Sequence, residues 1–295
     1  MSILAAVLRS LRPRQWVKNL FVFAGVVFAQ QAFTPLAWRA AAAFVIFCGL
    51  SGAIYLFNDV ADVDKDRLHP QKKQRPIAAG ALSIRAAVAI GLVLSAACLA
   101  AAFSLSPVFG LTALGYGVLL TAYSAWLKHL VILDVLTVAT GFVLRAVAGA
   151  VAVDVEISGW LLICTILIAL FLALGKRRHE YRSLTGNAVA HRPILAEYSE
   201  GFLDQMISVV TASTVTAYAL YTMSAETVAK FHTRLLPLTL PFVLYGIFRY
   251  LYLLYRRDLG GNPSDLLVND RALLVDALLW MLATLAIIYG PRWTG

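Results

Sequence analysis

Residues 38–58 read WRAAAAFVIFCGLSGAIYLFN, and residues 59–66 follow at once as DVADVDKD. The first stretch is long enough to cross a bilayer, which takes about 20 mainly apolar residues in a helix. The second packs four aspartates, Asp59, Asp62, Asp64 and Asp66, into eight positions at its end. An apolar span that closes on a cluster of carboxylates points to a membrane protein with chemistry at one membrane face.

Working outward, the stretches 17–35, 82–104, 107–127, 131–151, 158–175, 203–223, 235–255 and 272–290 meet the same length test. The expectation is an all-α polytopic membrane bundle of nine transmembrane helices. Composition agrees: 60% of the 295 residues are hydrophobic and 14% charged, against about 25% charged in soluble domains. The formal charge of +9, from 25 Lys+Arg against 16 Asp+Glu, would suggest nucleic acid on a soluble protein. A membrane protein needs cytoplasmic cations in any case, so nucleic acid is not an expected partner and the bilayer is. Cys48, Cys98 and Cys164 lie inside apolar runs without CxxC or Cys/His spacing, which supports neither a disulfide nor a thiolate metal site. Arg9, Arg12, Arg14 and Lys18 precede the first apolar stretch as in a signal peptide, but no cleavage site follows, so this stretch reads as a retained helix.

Cations set the orientation. Loops 59–81, 127–130, 176–202 and 256–271 hold Lys65, Arg67, Lys72, Lys73, Arg75, Lys128, Lys176, Arg177, Arg178, Arg182, Arg192, Arg256, Arg257 and Arg271. The opposite side has Arg39, Lys230, Arg234 and Arg292, beside Asp154, Glu156 and Glu226. The positive-inside rule then places the N-terminus and the acidic motif in the cytoplasm and the C-terminus outside the cell (inner) membrane. With no linker or low-complexity tract, residues 1–295 read as a single catalytic domain whose site lies at the cytoplasmic helix ends. Arg145 and Arg249 fall within spans, where either a substrate role or an ion pair with Asp134 or Asp276 accounts for them. Gly110 to Gly117 and Gly141 to Gly149 read as close helix packing, and Trp16 and Trp126 as interface anchors.

On a continuing helix Asp59, Asp62 and Asp66 stand at i, i+3 and i+7 on one face, where bare carboxylates repel. A divalent cation resolves the conflict, and hard oxygen ligands without His or Cys select Mg²⁺, with Asn58 adding a neutral oxygen. Asp64 points to the other side and ranks below these. The plainer reading, an acidic helix end in water, is opposed by the helix macrodipole. Next comes the basic loop Arg67 to Ile77, stiffened by Pro70 and Pro76. Acids that bind a metal followed by cations suit a diphosphate, with Lys72 and Arg75 on its oxygens; for Lys65 and Lys73 membrane topology alone is an equal explanation.

These residues resemble the UbiA superfamily of intramembrane prenyltransferases. Asn58-Asp59-x-x-Asp62-x-x-x-Asp66 is similar to its first Asp-rich motif, Arg75-Pro76 follows at the family's interval, and Tyr123-Ser124-x-x-Leu127-Lys128 matches a recurring loop element. Within the superfamily, Arg12-Pro13-Arg14-Gln15-Trp16-Val17-Lys18-Asn19, His69-Pro70-x-Lys72-x-x-Arg75-Pro76 and Gly175-Lys176-Arg177-Arg178-His179-Glu180 resemble the decaprenyl-phosphate phosphoribosyltransferase branch. That resemblance implies transfer of 5-phosphoribose from phosphoribosyl diphosphate to a polyprenyl phosphate lipid, releasing pyrophosphate and supplying arabinose to a cell wall. One departure stands out: where the superfamily carries a second DxxxD motif after the sixth helix, this chain has Lys176-Arg177-Arg178-His179-Glu180-Tyr181-Arg182, with Glu180 alone acidic. Two polyanionic substrates call for such cations.

The resulting assignment gives Asp59, Asp62, Asp66, Lys72 and Arg75 to the reaction, Asn58, Asp59, Asp62 and Asp66 to Mg²⁺, and Arg14, Lys18, Asn58, Tyr123, Lys128, Lys176, Arg177, Arg178 and Glu180 to the substrates. An ionised acceptor phosphate attacks the ribose C1 without a strong general base, so positioning and charge neutralisation supply most of the acceleration. Two alternatives stay open: a prenyl diphosphate transferase acting on an aromatic or quinone precursor, and a lipid-phosphate transporter, which the absence of repeat symmetry disfavours. Assembly into a homo-oligomer is also left open.

Overall fold

The computed structural model describes residues 2–68, 70, 72–183 and 193–293. Among these, eight helices are long and apolar enough to cross a membrane: α1 Ala37–Ala61, α2 Ile84–Leu105, α3 Pro107–Ala125, α4 Leu133–Ala152, α5 Gly159–Ser183, α6 Glu200–Met223, α7 Leu240–Arg256 and α8 Arg271–Trp293. The protein is an integral membrane helical bundle. Serine caps mark the breaks between spans. Ser83 Oγ accepts from the Ala86 amide at 3.2 Å to open α2, and Ser106 both ends α2 and caps α3 through the Phe109 amide at 3.0 Å, with Pro107 in the first turn. Each cap satisfies an amide that the helix itself leaves without a partner.

The first apolar stretch differs from the long helix expected over 17–35. It is a 3-10 helix, Pro13–Val22, continued by a short α-helix, Phe23–Phe28. A 3-10 helix rises about 2.0 Å per residue against about 1.5 Å in an α-helix. The ten residues Pro13–Val22 therefore reach about 20 Å, about 5 Å more than an α-helix of the same length. A run of ten residues in this tighter helix is unusual, and a polar network holds it. Asn19 is 1% exposed; its Nδ2 donates to Cys48 Sγ and Ser51 Oγ, both at 3.3 Å, and its Oδ1 accepts from Arg145 Nε at 2.8 Å. Arg145 Nη2 also donates to the Tyr116 hydroxyl at 2.5 Å, with the guanidinium 4.8 Å from that ring's centroid. Arg145 thus has a structural role: it binds three parts of the chain to one another.

The chain packs as two compact units. The first comprises the chain up to Val26, Ala32–Thr137 and Leu144–Glu156. In it α1 lies against α2 and α2 against α3, around a core centred on Phe47, Phe109 and Tyr116. Gly149 is required where it stands, since a Cβ there would run into the Val22 carbonyl. Close packing does not account for every glycine in the Gly110 to Gly117 stretch, however: Gly115 and Gly117 have no atom within 4 Å of where a Cβ would be. A second apolar cluster, Ala6, Leu56, Val63, Ile77, Leu82 and Ala87, lies under the acidic end of α1.

The second unit comprises Val27–Gln31, Val138–Val143 and the chain from Ile157 onward. Here α5 packs on α6 and α7 on α8. Helix α5 continues to Ser183, so Lys176 to Arg182, expected in a loop after residue 175, form its last turns. Arg249 pairs with Asp270, at 2.8 and 3.2 Å, rather than with Asp276. Arg192 and His69, named from the sequence, lie outside the described residues.

Candidate active site

The first unit carries the acidic motif. Helix α1 ends at Ala61 and a short helix, Val63–Leu68, follows after Asp62. The ladder is maintained across the junction, since the Asp62 amide donates to the Asn58 carbonyl at 3.0 Å and the Asp66 amide to the Asp62 carbonyl at 2.8 Å. Asp59 and Asp66 consequently come together on the buried side, each 2% exposed, while Asp64 faces water and pairs with Arg67 at 3.0 Å. Asp62 departs from the expected shared face: it turns to Lys128, whose Nζ lies 3.4 Å from its Oδ1. Lys128 belongs to a 3-10 turn, Leu127–His129, after α3.

The basic loop closes on these acids. Arg75 Nη1 lies 3.0 Å from Asp59 Oδ1 and 2.6 Å from Asp66 Oδ2, so one guanidinium nitrogen spans both carboxylates. Its backbone is fixed on both sides: the Arg75 amide donates to the Lys72 carbonyl at 2.9 Å, and its carbonyl accepts from the Ala79 amide at 2.8 Å. The turn then closes through Gly80, whose φ of 74° only glycine adopts without strain. Ile77 and Leu82 anchor the loop in the apolar cluster.

A second arginine, not among the residues assigned from the sequence, completes the arrangement. Arg12 bonds the same Asp59 Oδ1 and lies 4.7 Å from the centroid of the Tyr55 ring, one turn earlier on α1. Its backbone is left-handed, φ 53°, between the opening helix Ile3–Ser10 and the 3-10 segment. That conformation costs a non-glycine residue about 1–2 kcal/mol. Arg9, Arg12, Lys72 and Arg75, with Gln74, Pro76 and the Asp59 carboxylate, enclose a cavity of about 270 Å³. Four cations meet Asp59 and, through Arg75, Asp66 there, a surplus of two positive charges that suits a polyanionic guest.

The other assigned residues of this unit are placed separately. Arg14 is exposed and Lys18 half-buried on the 3-10 segment; Asn58 and Tyr123 are half-buried near the ends of α1 and α3.

In the second unit the end of α5 forms its own charge cluster. Arg177 Nη1 donates to Glu180 Oε2 at 2.5 Å, and Lys176 Nζ is 3.7 Å from Glu180 Oε1. Arg178 is 3% exposed; it meets Asp204 at 2.5 Å and Glu200 at 2.9 Å, with its guanidinium 4.0 Å from the Tyr255 ring centroid. The Tyr255 hydroxyl donates to Asp204 at 2.8 Å. Arg177 and Arg178 therefore already face carboxylates, two of them supplied by α6 and absent from the sequence reading. Lys176 is the most exposed of the three.

The comparisons with known proteins follow from this geometry. The model of the UbiA prenyltransferase family matches residues 19–266. The chain belongs to the UbiA prenyltransferase family. A decaprenyl-phosphate phosphoribosyltransferase of Mycolicibacterium smegmatis is 30% identical over 98% of this chain and 94% of its own. Its counterpart in Corynebacterium glutamicum is 32% identical over 96% and 86%. Among solved structures, a UbiA homolog from Archaeoglobus fulgidus bound to GPP and Mg²⁺ superposes with a TM-score of 0.74 and 22% identity, covering 96% of this chain and 99% of that one. At this identity the likeness shows the fold.

As a UbiA member the protein is an enzyme, and its donor set fits a hard divalent cation. Asp59, Asp62, Asp66 and Asn58 offer only oxygen, the ligand type that Mg²⁺ takes. Among the described residues no three carboxylate, His or Cys side chains converge on one point, because each of these three acids meets a cationic side chain instead. A metal would enter by exchange with those cations.

Proposed function

We propose that the protein transfers 5-phosphoribose from phosphoribosyl diphosphate to a polyprenyl phosphate, releasing pyrophosphate. The observation that carries this reading is the cavity beside Asp59, on which the cationic side chains of Arg9, Arg12, Lys72 and Arg75 converge. A phosphoribosyl diphosphate, with phosphate groups at both ends of its sugar, has more use for so many cations than a prenyl diphosphate, which carries its charge at one end only. The names of the mycobacterial and corynebacterial relatives support the same choice.

In this reading Lys72 and Arg75 bind the diphosphate oxygens and stabilise the charge that builds on the leaving group. An oxygen of the acceptor phosphate attacks C1 of the ribose while the bond from C1 to the diphosphate breaks, and the electron pair leaves with pyrophosphate. Asp59, Asp62 and Asp66, with Asn58, would hold Mg²⁺, which supplies further charge neutralisation on the diphosphate. Arg14, Lys18, Tyr123 and Lys128 are the first unit's candidates for the acceptor phosphate and the ribose 5-phosphate, and Lys176 is the second unit's. Arg177, Arg178 and Glu180 order the end of α5 through their ion pairs. The site faces the cytoplasm of the cell membrane, the C-terminus lies outside, and the product feeds arabinan precursors of the cell wall.

The purified protein in nanodiscs containing decaprenyl phosphate, given phosphoribosyl diphosphate labelled in the ribose and Mg²⁺, tests this directly. Label is expected in the lipid with one pyrophosphate released per ribose transferred. Turnover of a prenyl diphosphate with an aromatic acid, and no lipid label, would overturn it in favour of prenyl transfer. Donor flux across vesicles without pyrophosphate release would overturn it in favour of transport.

A further inference from the structure

We propose that Arg12 is a stand-in cation: it neutralises Asp59 while the acidic end of α1 carries no metal, and it moves to a phosphate oxygen of the donor when a metal takes the carboxylate. The proposal rests on the diphosphate reading of the cavity given above.

Asp59 Oδ1 accepts from two guanidinia at once, Arg12 and Arg75. Two guanidinia on one oxygen oppose an incoming divalent cation by charge, so a metal on this carboxylate favours the release of one of them. Arg75 is the more fixed of the two. It also bonds Asp66 at 2.6 Å, and its loop is anchored by backbone bonds on either side. Arg12 holds a single carboxylate and belongs to the junction between two helical segments. Its other neighbour is the Tyr55 ring face, a seat where a guanidinium is held with little directional demand. The left-handed backbone directly before Pro13 sets where this side chain starts. From there it reaches both the carboxylate and the cavity. The exchange keeps opposite charges paired: an incoming divalent cation replaces the guanidinium on Asp59, and the released guanidinium meets the anion that arrives with the metal.

Competition predicts effects of opposite sign, which a merely structural arginine does not give. In nanodiscs, Mn²⁺ binding without donor is measured by electron paramagnetic resonance, and binding of labelled phosphoribosyl diphosphate at saturating Mn²⁺ is measured separately. Arg12→Gln should bind Mn²⁺ alone several-fold more tightly than the wild type and the donor about tenfold more weakly, a factor equal to about 1.4 kcal/mol. Arg12→Lys, which keeps the charge without the fork, should fall between wild type and the Gln variant in both measurements, and it supports or refutes the proposal by itself if the Gln variant does not fold. Unchanged or weaker Mn²⁺ binding in a folded variant would overturn the proposal. Running the donor arm in parallel with a prenyl diphosphate separates the two ideas. If the prenyl compound alone binds and Arg12→Gln weakens it, the phosphoribosyl reading fails while the exchange stands.

Discussion

A carboxylate with 2% exposure needs a partner, and for Asp66 that partner is Arg75. Removing one member of such a pair leaves a buried charge uncompensated, which costs on the order of 3 kcal/mol, whereas removing both costs less. Arg75→Ala should therefore lower stability by about that amount, and adding Asp66→Ala should restore part of it. Thermal unfolding of the two single variants and the double variant checks this, and simple additivity would show that the pair is uncoupled. The acids, Lys72 and Arg75 were legible in the sequence because spacing and charge sign suffice to find them. Arg9 and Arg12 were not assigned, although the sequence shows both ahead of the first apolar stretch. Their place on the cavity wall depends on a left-handed residue at position 12 and on a ring at position 55, and neither leaves a mark in residue spacing. Asp62 shows a related limit: helical periodicity put it beside Asp59, but a break at that residue lets Lys128 draw it away.

The elements themselves were mostly legible, since apolar length identifies a span and Ser-Pro marks a boundary. The exceptions have physical causes. Apolar length does not distinguish a 3-10 segment from an α-helix, so it overstates the extent of regular helix at 17–35. Helix α5 runs past residue 175 because Arg177 and Glu180 pair one turn apart and Arg178 finds Asp204 on α6, contacts that let a charged stretch stay helical. Glycine needs the same discrimination. Gly149→Ala should destabilise by about 1–3 kcal/mol, since its Cβ meets the Val22 backbone. Gly117→Ala in α3 should stabilise by about 0.5–1 kcal/mol, because nothing stands near it and alanine restricts the unfolded chain. Equal effects in thermal unfolding would refute the packing assigned to Gly149. Between α7 and α8, the hydrogen bond from Arg249, helped by the Leu273 and Ala272 amides, holds the Asp270 carboxyl below its usual range. A depressed carboxyl contributes stability above its unfolded value, about 3.9, and loses it as pH falls through the folded one. Wild type should therefore lose its stability advantage over Asp270→Asn below about pH 4, read from unfolding midpoints between pH 6 and pH 3; a pH-independent gap would contradict the pair's role.

Taken whole, the molecule combines a helical membrane bundle with a cavity whose charge opposes that of its acidic motif. Arg12 and Arg75 hold the carboxylates and, with Arg9 and Lys72, define an anion site, so metal and diphosphate are expected to enter together rather than singly. A structure of the protein in lipid with phosphoribosyl diphosphate and Mg²⁺ tests this most directly. The account predicts the diphosphate against Lys72 and Arg75, the metal on Asp59, and the Arg12 guanidinium on a phosphate oxygen. Density for the donor elsewhere, with Arg12 still closed on Asp59, would contradict it.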